Sequence, residues 1–342
     1  MSATARADGA WVRLQGSDLG FRCAPGQSLL AAGLAAGLDL PYECASGTCG
    51  SCRARLLEGR LRSRWHAASG LSERDRAKGD RILCCQSEAL VDCVLQLRPG
   101  ADPVHARPRR LGATVMSLRP LNDEVMHLQL QADGAPAFRA GQSMLFEWPD
   151  GIGRRAYSMA NPPGCGARLE FIVKRKPGGA GSRYLFGALR AGVRLSLEGP
   201  YGRAWLRDTP AGEGLWLLAG GSGLAPVWSI AQAALAASPA RPVRLYFGVQ
   251  RATDLFWVAE MQHLMAAAPA LQVVLVLAEP SGADPAGCRY GPVAAVLAED
   301  LPQRVDQPLY MAGPPGLIDH AAALLVRSGR VRADRVYYDR YA

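Results

Sequence analysis

The sequence predicts a three-domain protein: a small α+β domain, an antiparallel β-barrel and an α/β domain with a parallel sheet. Three observations support this prediction. Cysteines cluster in the first hundred residues, short strands separated by turn signals fill the middle, and strands alternate with helices from about residue 212. The chain has 342 residues and is 49% hydrophobic, which is enough for two or three domains with cores of their own.

We place the domain boundaries where the composition and the predicted pattern of strands and helices change. The predicted first domain spans residues 1–98, the barrel spans 111–210 and the α/β domain spans 211–342. Between the first two lies a segment, 99–110, with three prolines and no hydrophobic periodicity. We therefore expect 99–110 to be a semi-rigid linker.

The first domain is predicted to contain a hairpin, one helix, a cysteine loop and two later strands. The hairpin covers residues 11–23, with a turn at Gly16-Ser17-Asp18. Ser28 is a suitable N-cap for the apolar helix that follows it. The later strands are expected at residues 53–61 and 92–97.

The barrel is predicted from strands that recur at regular intervals and one short helix. We expect strands at residues 113–118, 124–131, 143–148, 168–174 and 194–198. The short helix is expected over residues 182–189.

The α/β domain is predicted from apolar strands that alternate with longer helices. We expect strands at residues 214–219, 243–249, 272–277, 308–311 and 335–338. The helices are expected at residues 225–237, 254–268, 292–299 and 315–328. This alternation is typical of a parallel sheet with helices on both faces.

The cysteine loop has the spacing C-x4-C-x2-C, formed by Cys44, Cys49 and Cys52, and further cysteines follow at a distance. This is the plant-type [2Fe–2S] pattern. Gly47 and Gly50 lie between these cysteines, and we expect both to supply the positive φ angles and the close approach that a backbone around a cluster needs. A structural zinc site would need a second short Cys or His pair, which is absent, and it remains the alternative. A disulfide is disfavoured because no secretion signal is visible at the N-terminus.

The fourth ligand is either Cys84 or Cys85. Neighbouring side chains of an extended segment point to opposite faces, so only one of the two can reach the cluster. The segment from Ile82 to Gln86 resembles the Leu-x-Cys-Gln ending of plant-type ferredoxins, and this resemblance implies Cys85. The order of elements over about 90 residues likewise resembles the β-grasp of these ferredoxins.

A flavin motif is indicated by Arg155, Tyr157 and Ser158, which resemble the Arg-x-Tyr-Ser motif of the ferredoxin–NADP reductase superfamily. An aromatic ring can lie on the isoalloxazine, a hydroxyl can bond its N5 edge, and a guanidinium can neutralise a phosphate. An ordinary surface strand followed by a turn is the alternative.

A phosphate site is indicated downstream, where a glycine-rich turn precedes a helix N-terminus. It resembles the Gly-Gly-x-x-Ser element of the same superfamily. The predicted cofactor residues of this segment are Ile172, Lys174, Gly179, Gly181 and Ser182.

A nucleotide site is indicated at the carboxyl end of the first α/β strand, where α/β sheets bind ligands. The segment containing Gly221, Ser222 and Gly223 is not a G-x-G-x-x-G fingerprint. It resembles the Gly-Gly-Thr-Gly-Leu-Ala-Pro pyrophosphate loop of the same superfamily.

Two further segments resemble nucleotide contacts of this superfamily. Arg251 follows a strand whose end contacts the adenosine ribose, and Gly313 and Pro314 match a Cys-Gly-Pro-Pro loop beside the nicotinamide. Ala312 replaces the cysteine of that loop. The hydride moves directly between two cofactors, so we expect this change to affect its rate rather than to abolish it.

Taken together, the three modules resemble the reductase components of bacterial aromatic-ring oxygenases, and among them most closely the terephthalate dioxygenase reductases. The resemblance implies NADH, FAD and one [2Fe–2S] cluster, with no catalytic acid or base. It also implies a terminal oxygenase as partner, first a Rieske non-haem iron enzyme, otherwise a diiron hydroxylase or an oxidative demethylase. A regulatory redox sensor and a zinc-containing flavoprotein oxidase are the competing functions.

Composition excludes other partners. The net charge of +9 is spread along the chain without a nucleic-acid motif, so we expect no nucleic-acid partner. No apolar run reaches the ~20 residues of a membrane span. Scattered cysteines without a secretion signal indicate a cytoplasmic protein.

The last predicted site residue is Tyr341, close behind the final strand. Related reductases place a terminal aromatic ring by the flavin, and the resemblance implies the same position for Tyr341. Packing of the ring on the barrel alone is the alternative.

Overall fold

We analysed a computed structural model of the chain, which describes residues 9–102, 104, 107–149, 151–210, 212–282 and 284–341. Three residues of the predicted linker, Pro103, His105 and Ala106, lie outside the described residues.

The first domain is a mixed sheet packed against one short apolar helix. Its strands are β1 (Ala10–Leu14), β2 (Gly20–Cys23), β3 (Arg53–Glu58), β4 (Leu61–Ser63), β5 (Arg81–Leu83), β6 (Ser87–Ala89) and β7 (Cys93–Gln96), and its helices are α1 (Leu29–Ala35) and α2 (Glu73–Lys78). Five strands pair in the order β2-β1-β7-β3-β5, while β4 and β6 form a separate ribbon. The first and last strands are parallel neighbours, which confirms the predicted β-grasp.

Local signals in this domain are confirmed only in part, because the strand predicted over 53–61 ends at Glu58 and because β5, β6 and α2 were not predicted. Ser28 caps α1 as predicted, and its hydroxyl accepts a hydrogen bond of 3.2 Å from the backbone N–H of Ala31. We did not predict α2, because its six residues are mostly charged and none is buried. A helix without an apolar face has no hydrophobic periodicity to reveal it.

The second domain is an antiparallel half-barrel. Its strands are β8 (Arg109–Pro120), β9 (Val125–Ala132), β10 (Ser143–Trp148), β11 (Gly153–Ser158), β12 (Arg168–Lys174) and β13 (Arg194–Tyr201), and its helix is α3 (Ala180–Gly187). The strands pair in the order β11-β10-β13-β8-β9-β12, and a bridge between Met159 and Phe171 joins the two edges. We did not predict β11, which is polar and only half-buried. β8 begins two residues inside the predicted linker.

The third domain is a parallel sheet between two layers of helices. Its strands are β14 (Leu215–Gly220), β15 (Val243–Val249), β16 (Leu271–Leu277), β17 (Arg289–Tyr290), β18 (Leu309–Gly313) and β19 (Val336–Arg340), and its helices are α4 (Leu224–Ala237), α5 (Val258–Ala267), α6 (Val293–Asp300) and α7 (Pro315–Ala321). The strand order is β17-β16-β15-β14-β18-β19. Chain progression reverses at β14, and this leaves a crevice at the carboxyl ends of β14 and β18.

Two helices of this domain differ from their predicted bounds. The helix predicted from residue 254 begins at Val258, because Trp257 before it has a left-handed backbone with φ of +56°. The helix predicted over 315–328 changes after Ala321 into a π-helical turn, Ala322–Val326. None of the helices in the described residues has the length and apolar character that crossing a bilayer requires.

Buried polar contacts hold the three domains together. Arg203 of the half-barrel bonds Asp39 of the first domain at 2.6 Å. On its other side, the half-barrel meets α4, where the buried Ser229 hydroxyl donates to the carbonyl oxygen of Asn161 at 2.7 Å. These contacts place the cysteine loop, the half-barrel edge and the α/β crevice around one space.

Candidate functional site

A single cavity of about 970 Å³ is lined by residues from all three domains. Its size is near the upper end of the range of about 300–1,000 Å³ that is typical of ligand pockets. Its lining includes Cys44 from the cysteine loop, Tyr157 from β11 and Ser222 from the loop after β14. The predicted cluster, flavin and nucleotide motifs therefore face a common space.

The cysteine loop is closed by glycines that leave no room for a side chain. Gly47 and Gly50 have positive φ angles of +95° and +80°. A Cβ atom on Gly47 would lie 2.9 Å from the side chain of Gln86, and one on Gly50 would lie 2.7 Å from the carbonyl oxygen of Gly70. The loop thus needs glycine for its backbone conformation and for its packing, as predicted from the sequence.

Backbone N–H groups of this loop point at the first two predicted ligand sulfurs. The N–H groups of Ser46 and Cys49 both lie 3.4 Å from the Sγ atom of Cys44, and the N–H group of Ser51 lies 3.5 Å from the Sγ atom of Cys49. A hydrogen bond from the Cys49 thiol lowers the pKa of Cys44. Such bonds stabilise thiolate, the form that binds metal.

The other two predicted ligands form a second pair. The Sγ atoms of Cys52 and Cys85 are 3.3 Å apart, and the amide of Gln86 lies 3.8 Å from the Cys85 sulfur. Cys84 is buried and is tied to Cys52 through its backbone N–H group. This segment is a 3₁₀ turn rather than the extended chain we expected, because it must curve around the loop. The ligand assignment itself stays a prediction.

The thiols therefore lie as two pairs rather than as one group of four. Within the part of the chain that the structure describes, no three His, Cys, Asp or Glu side chains converge on a position for one metal ion. A zinc site needs four ligands around one ion, whereas a [2Fe–2S] cluster takes two protein ligands on each of two irons. The four cysteine thiols, which lie as two pairs, therefore fit a [2Fe–2S] cluster.

The middle of the cavity is walled by β11, β12 and the C-terminal segment. Tyr157, Ser158 and Ile172 line it, and the Ser158 hydroxyl lies 3.3 Å from the hydroxyl of Tyr341. Tyr341 is held by its backbone N–H group, which bonds the carbonyl oxygen of Gly313 at 2.9 Å. The chain end is thus fixed beside the predicted flavin motif.

A basic glycine-rich turn closes the cavity at the N-terminus of α3. Gly179 and Gly181 line it, and the Ser182 hydroxyl lies 3.1 Å from the backbone N–H and carbonyl groups of Lys176, bracing the turn from within. Arg155 and Lys174 add positive charge to the same wall. Cations and free N–H groups at a helix N-terminus are the groups that bind a pyrophosphate, so the residues fit a dinucleotide-type flavin.

The α/β crevice opens into the same cavity. Gly221, Ser222 and Pro314 line it, whereas Gly223 and Gly313 lie behind its surface. Gly223 packs against the carbonyl oxygen of Ala312, where no Cβ atom could be placed. The two predicted loops therefore touch, and three of their five predicted residues face the open space.

Arg251 does not line the cavity. Its Nε atom bonds the carboxylate of Glu279 at 2.6 Å, and Gln250, which does line the cavity, bonds the same carboxylate at 2.5 Å. Glu279 was not among the predicted residues, because it is one strand away and only the fold brings it to the end of β15.

Several residues that line the cavity were also missed, among them Trp65 and Asp339. Trp65, from the first domain, lies with its ring centroid 5.3 Å from the guanidinium carbon of Arg155. Asp339 in β19 faces Glu43, and burial together with this second carboxylate raises the pKa of Asp339 to about 7. Neither Trp65 nor Asp339 lies in a sequence motif. The one feature that could have indicated Trp65 is its position as a single tryptophan in the arginine-rich segment 60–66.

Removing the Tyr341 ring is expected to change the flavin site and leave the cluster intact. Tyr341→Ala should shift the flavin absorption spectrum and raise KM for NADH severalfold, because the ring packs beside Ser158 and limits access of water. Tyr341→Phe keeps the ring and should stay near wild type. Ending the chain at Arg340 should match Tyr341→Ala. Unchanged flavin spectra and KM in the alanine variant would leave Tyr341 outside the site.

Comparison with known families assigns each module. Residues 12–90 match the 2Fe-2S iron-sulfur cluster binding domain, residues 114–205 match the oxidoreductase FAD-binding domain, and residues 217–323 match the oxidoreductase NAD-binding domain. The three matches follow the order of the cysteine loop, the half-barrel and the α/β crevice.

Relatives of known activity match nearly the whole chain. The ferredoxin–NAD(+) reductase component of the alkene monooxygenase system of Xanthobacter autotrophicus is 44% identical, over 94% of this chain and 97% of its own. The reductase subunit of an aromatic O-demethylase from an Amycolatopsis species is 34% identical, over 93% and 95%. The solved ferredoxin reductase in carbazole 1,9a-dioxygenase superposes with a TM-score of 0.87 at 32% identity, covering 97% and 98%.

Sequence, fold and donor sets agree on the cofactors and on the type of enzyme. The finer resemblance to terephthalate dioxygenase reductases stays a prediction. The chain belongs to the family of ferredoxin–NAD(P)⁺ reductases with 2Fe–2S, FAD-binding and NAD-binding domains that form the reductase components of oxygenase systems.

Proposed function

We propose that this chain takes electrons from NADH and delivers them one at a time, through its cysteine loop, to an oxygenase partner. The observation that carries the proposal is the common cavity, in which Cys44, Ser158 and Ser222 from three domains face one space. Donor and acceptor groups bound there would share one space.

The position of each lining residue suggests its role. Ser222 and Pro314 would hold the nicotinamide nucleotide at the crevice, Ser158 and Tyr157 would hold the flavin ring, and the turn before α3 would hold its phosphates. A flavin accepts a hydride and an iron–sulfur cluster carries single electrons, so the pair converts a two-electron donor into one-electron transfers. Tyr341 and Trp65 limit the access of water from two sides.

The proposed electron acceptor is an oxygenase of one of three classes. We propose a Rieske-type aromatic-ring oxygenase, with a diiron hydroxylase or an oxidative demethylase as alternatives. The relative at 44% identity is named for an alkene monooxygenase, which favours a monooxygenase as the second candidate. We place the protein in the cytoplasm, since none of its nine cysteines, all of which the structure describes, forms a disulfide.

Anaerobic stopped-flow mixing with NADH tests the proposed route. We expect flavin absorption to bleach first and iron–sulfur absorption to follow, in protein containing about two irons per chain. Zinc in place of iron, together with direct reduction of oxygen, would instead identify a flavoprotein oxidase. Flavin that bleaches while the cluster stays oxidised would contradict the route.

Nucleotide choice depends on the Arg251–Glu279 ion pair. Glu279 pairs with Arg251, which is the cation that the 2′-phosphate of NADPH would need. We therefore expect a preference for NADH. Glu279→Gln should raise kcat/KM for NADPH by about 10-fold and should change the value for NADH little. Arg251→Gln in the same background should remove the gain. Wild-type kcat/KM that favours NADPH would contradict the interpretation.

A further inference from the structure

Positive charge in the first domain is concentrated next to the cysteine loop. The segment from residue 53 to residue 81 contains nine basic and four acidic residues, whereas the rest of the predicted domain, 1–98, contains four basic and six acidic residues. The positive charge of this domain therefore comes from one segment rather than from the whole domain.

Five exposed cations of this segment share one surface, formed by β3, β5 and α2. We name it the basic face, and these cations are Arg53, Arg55, Arg74, Arg76 and Lys78. Two acids of the face are paired within it, Asp75 with Arg53 at 3.4 Å and Asp80 with Arg55 at 2.5 Å. Residues 53–58 and 73–83 together contain six basic and four acidic residues, so the face keeps a net charge of +2.

The basic face lies over a different part of the cysteine loop from the cavity. Cys44, with its neighbours Ser46 and Thr48, lines the cavity, but Cys52 and Cys85 do not. Arg53 follows Cys52 directly and pairs across the sheet with Leu83, two residues before Cys85. The loop thus has one side towards the flavin motif and another beneath positive charge.

We propose that the basic face docks an acidic surface of the protein that accepts the electrons. This inference rests on the proposed function, since it assigns entry to the Cys44 side of the loop and exit to the Cys52 and Cys85 side. Complementary charge steers association and raises its rate by about 10- to 1,000-fold at low salt.

Two acceptors of opposite charge test the surface directly. The probes are an acidic plant-type ferredoxin and the basic protein cytochrome c, each reduced by the complete NADH-loaded enzyme. Raising salt from about 0.01 M to about 1 M shortens the Debye length from about 30 Å to about 3 Å. We expect kcat/KM for the acidic acceptor to fall at least about 10-fold over this range, and that for cytochrome c to fall far less or to rise.

Charge reversal locates the effect on the protein. Arg74→Glu combined with Lys78→Glu should lower kcat/KM for the acidic acceptor by about 10-fold at low salt and raise it for cytochrome c. Arg304→Glu combined with Arg327→Glu, in the α/β domain, is the matched control and should leave both values near wild type. Full iron–sulfur absorption in each variant shows that the first domain is folded.

The outcomes separate this inference from the proposed function. Equal salt dependence for the two acceptors, or a control pair as damaging as the α2 pair, would overturn the basic face as the docking site. Flavin and cluster reduction by NADH, measured without an acceptor, should be unchanged in all variants. Loss of that internal reduction in wild-type protein would overturn the proposed function itself.

Discussion

Replacing one thiol of the predicted ligand set with serine is expected to remove the visible iron–sulfur absorption and abolish electron delivery to protein acceptors. The set consists of Cys44, Cys49, Cys52 and Cys85. Flavin reduction by NADH should continue, because Ser158 and Ser222 lie on the far walls of the cavity and depend on no sulfur. Absorption spectra and iron content measure the loss of the cluster. Turnover with a protein acceptor measures the loss of electron delivery.

The neighbouring thiol of Cys84 is the matched control. Cys84 is buried and adjacent in sequence to Cys85, but its sulfur is not the one that meets Cys52. Cys84→Ala should cost about 1 kcal/mol of folding free energy, as is typical for a point mutation, and keep the cluster. A protein that loses its cluster in Cys84→Ala and keeps it in Cys85→Ser would show that the assignment of the fourth ligand is wrong.

The parts of the fold that depend on local chemistry could be predicted from the sequence. The spacing of Cys44, Cys49 and Cys52 indicates a tight loop, and the glycines within it are confirmed as positions of positive φ. Apolar strands such as β15 and β12 were predicted at their observed bounds. Each of these signals lies within a few consecutive residues, so no knowledge of distant neighbours is needed.

The rest could not be predicted because it arises from packing between segments far apart in the chain. Trp65 meets Arg155 only when the first domain docks on the half-barrel. Glu279 meets Arg251 only when β15 and β16 pair. The polar helix α2 carries no periodic signal, and yet its charge forms part of the basic face. Sequence motifs thus identified the cofactors, whereas the residues that surround and separate them required the fold.

A second large effect is expected from Gly223→Ala, a change of one methyl group behind the nucleotide crevice. A Cβ atom on Gly223 would lie 2.1 Å from the carbonyl oxygen and 2.4 Å from the carbonyl carbon of Ala312. Both atoms are backbone, and β14 and β18 are paired next to them through Ala219 and Ala312. The loop after β14 must therefore move away from the Pro314 loop, since no flexible side chain can yield.

This displacement should weaken the crevice that holds the nicotinamide nucleotide. Overpacking of this kind costs about 1–3 kcal/mol of folding free energy, and a shift of about 1 Å in a bound group can slow a reaction about 100-fold. We expect Gly223→Ala to lower kcat/KM for NADH between about 10- and 100-fold, while the iron–sulfur spectrum stays unchanged.

Gly316→Ala separates the steric effect from the loss of a glycine. Gly316 lies in α7, close to the same crevice, and a Cβ atom there would meet nothing within 4 Å. Alanine inside a helix should raise stability by about 0.5–1 kcal/mol and leave NADH oxidation unchanged. The melting temperature should thus fall in Gly223→Ala and rise in Gly316→Ala. Reactivity with NADH should be lost in Gly223→Ala alone. Wild-type flavin reduction in Gly223→Ala would show that the contact with Ala312 does not shape the nucleotide site.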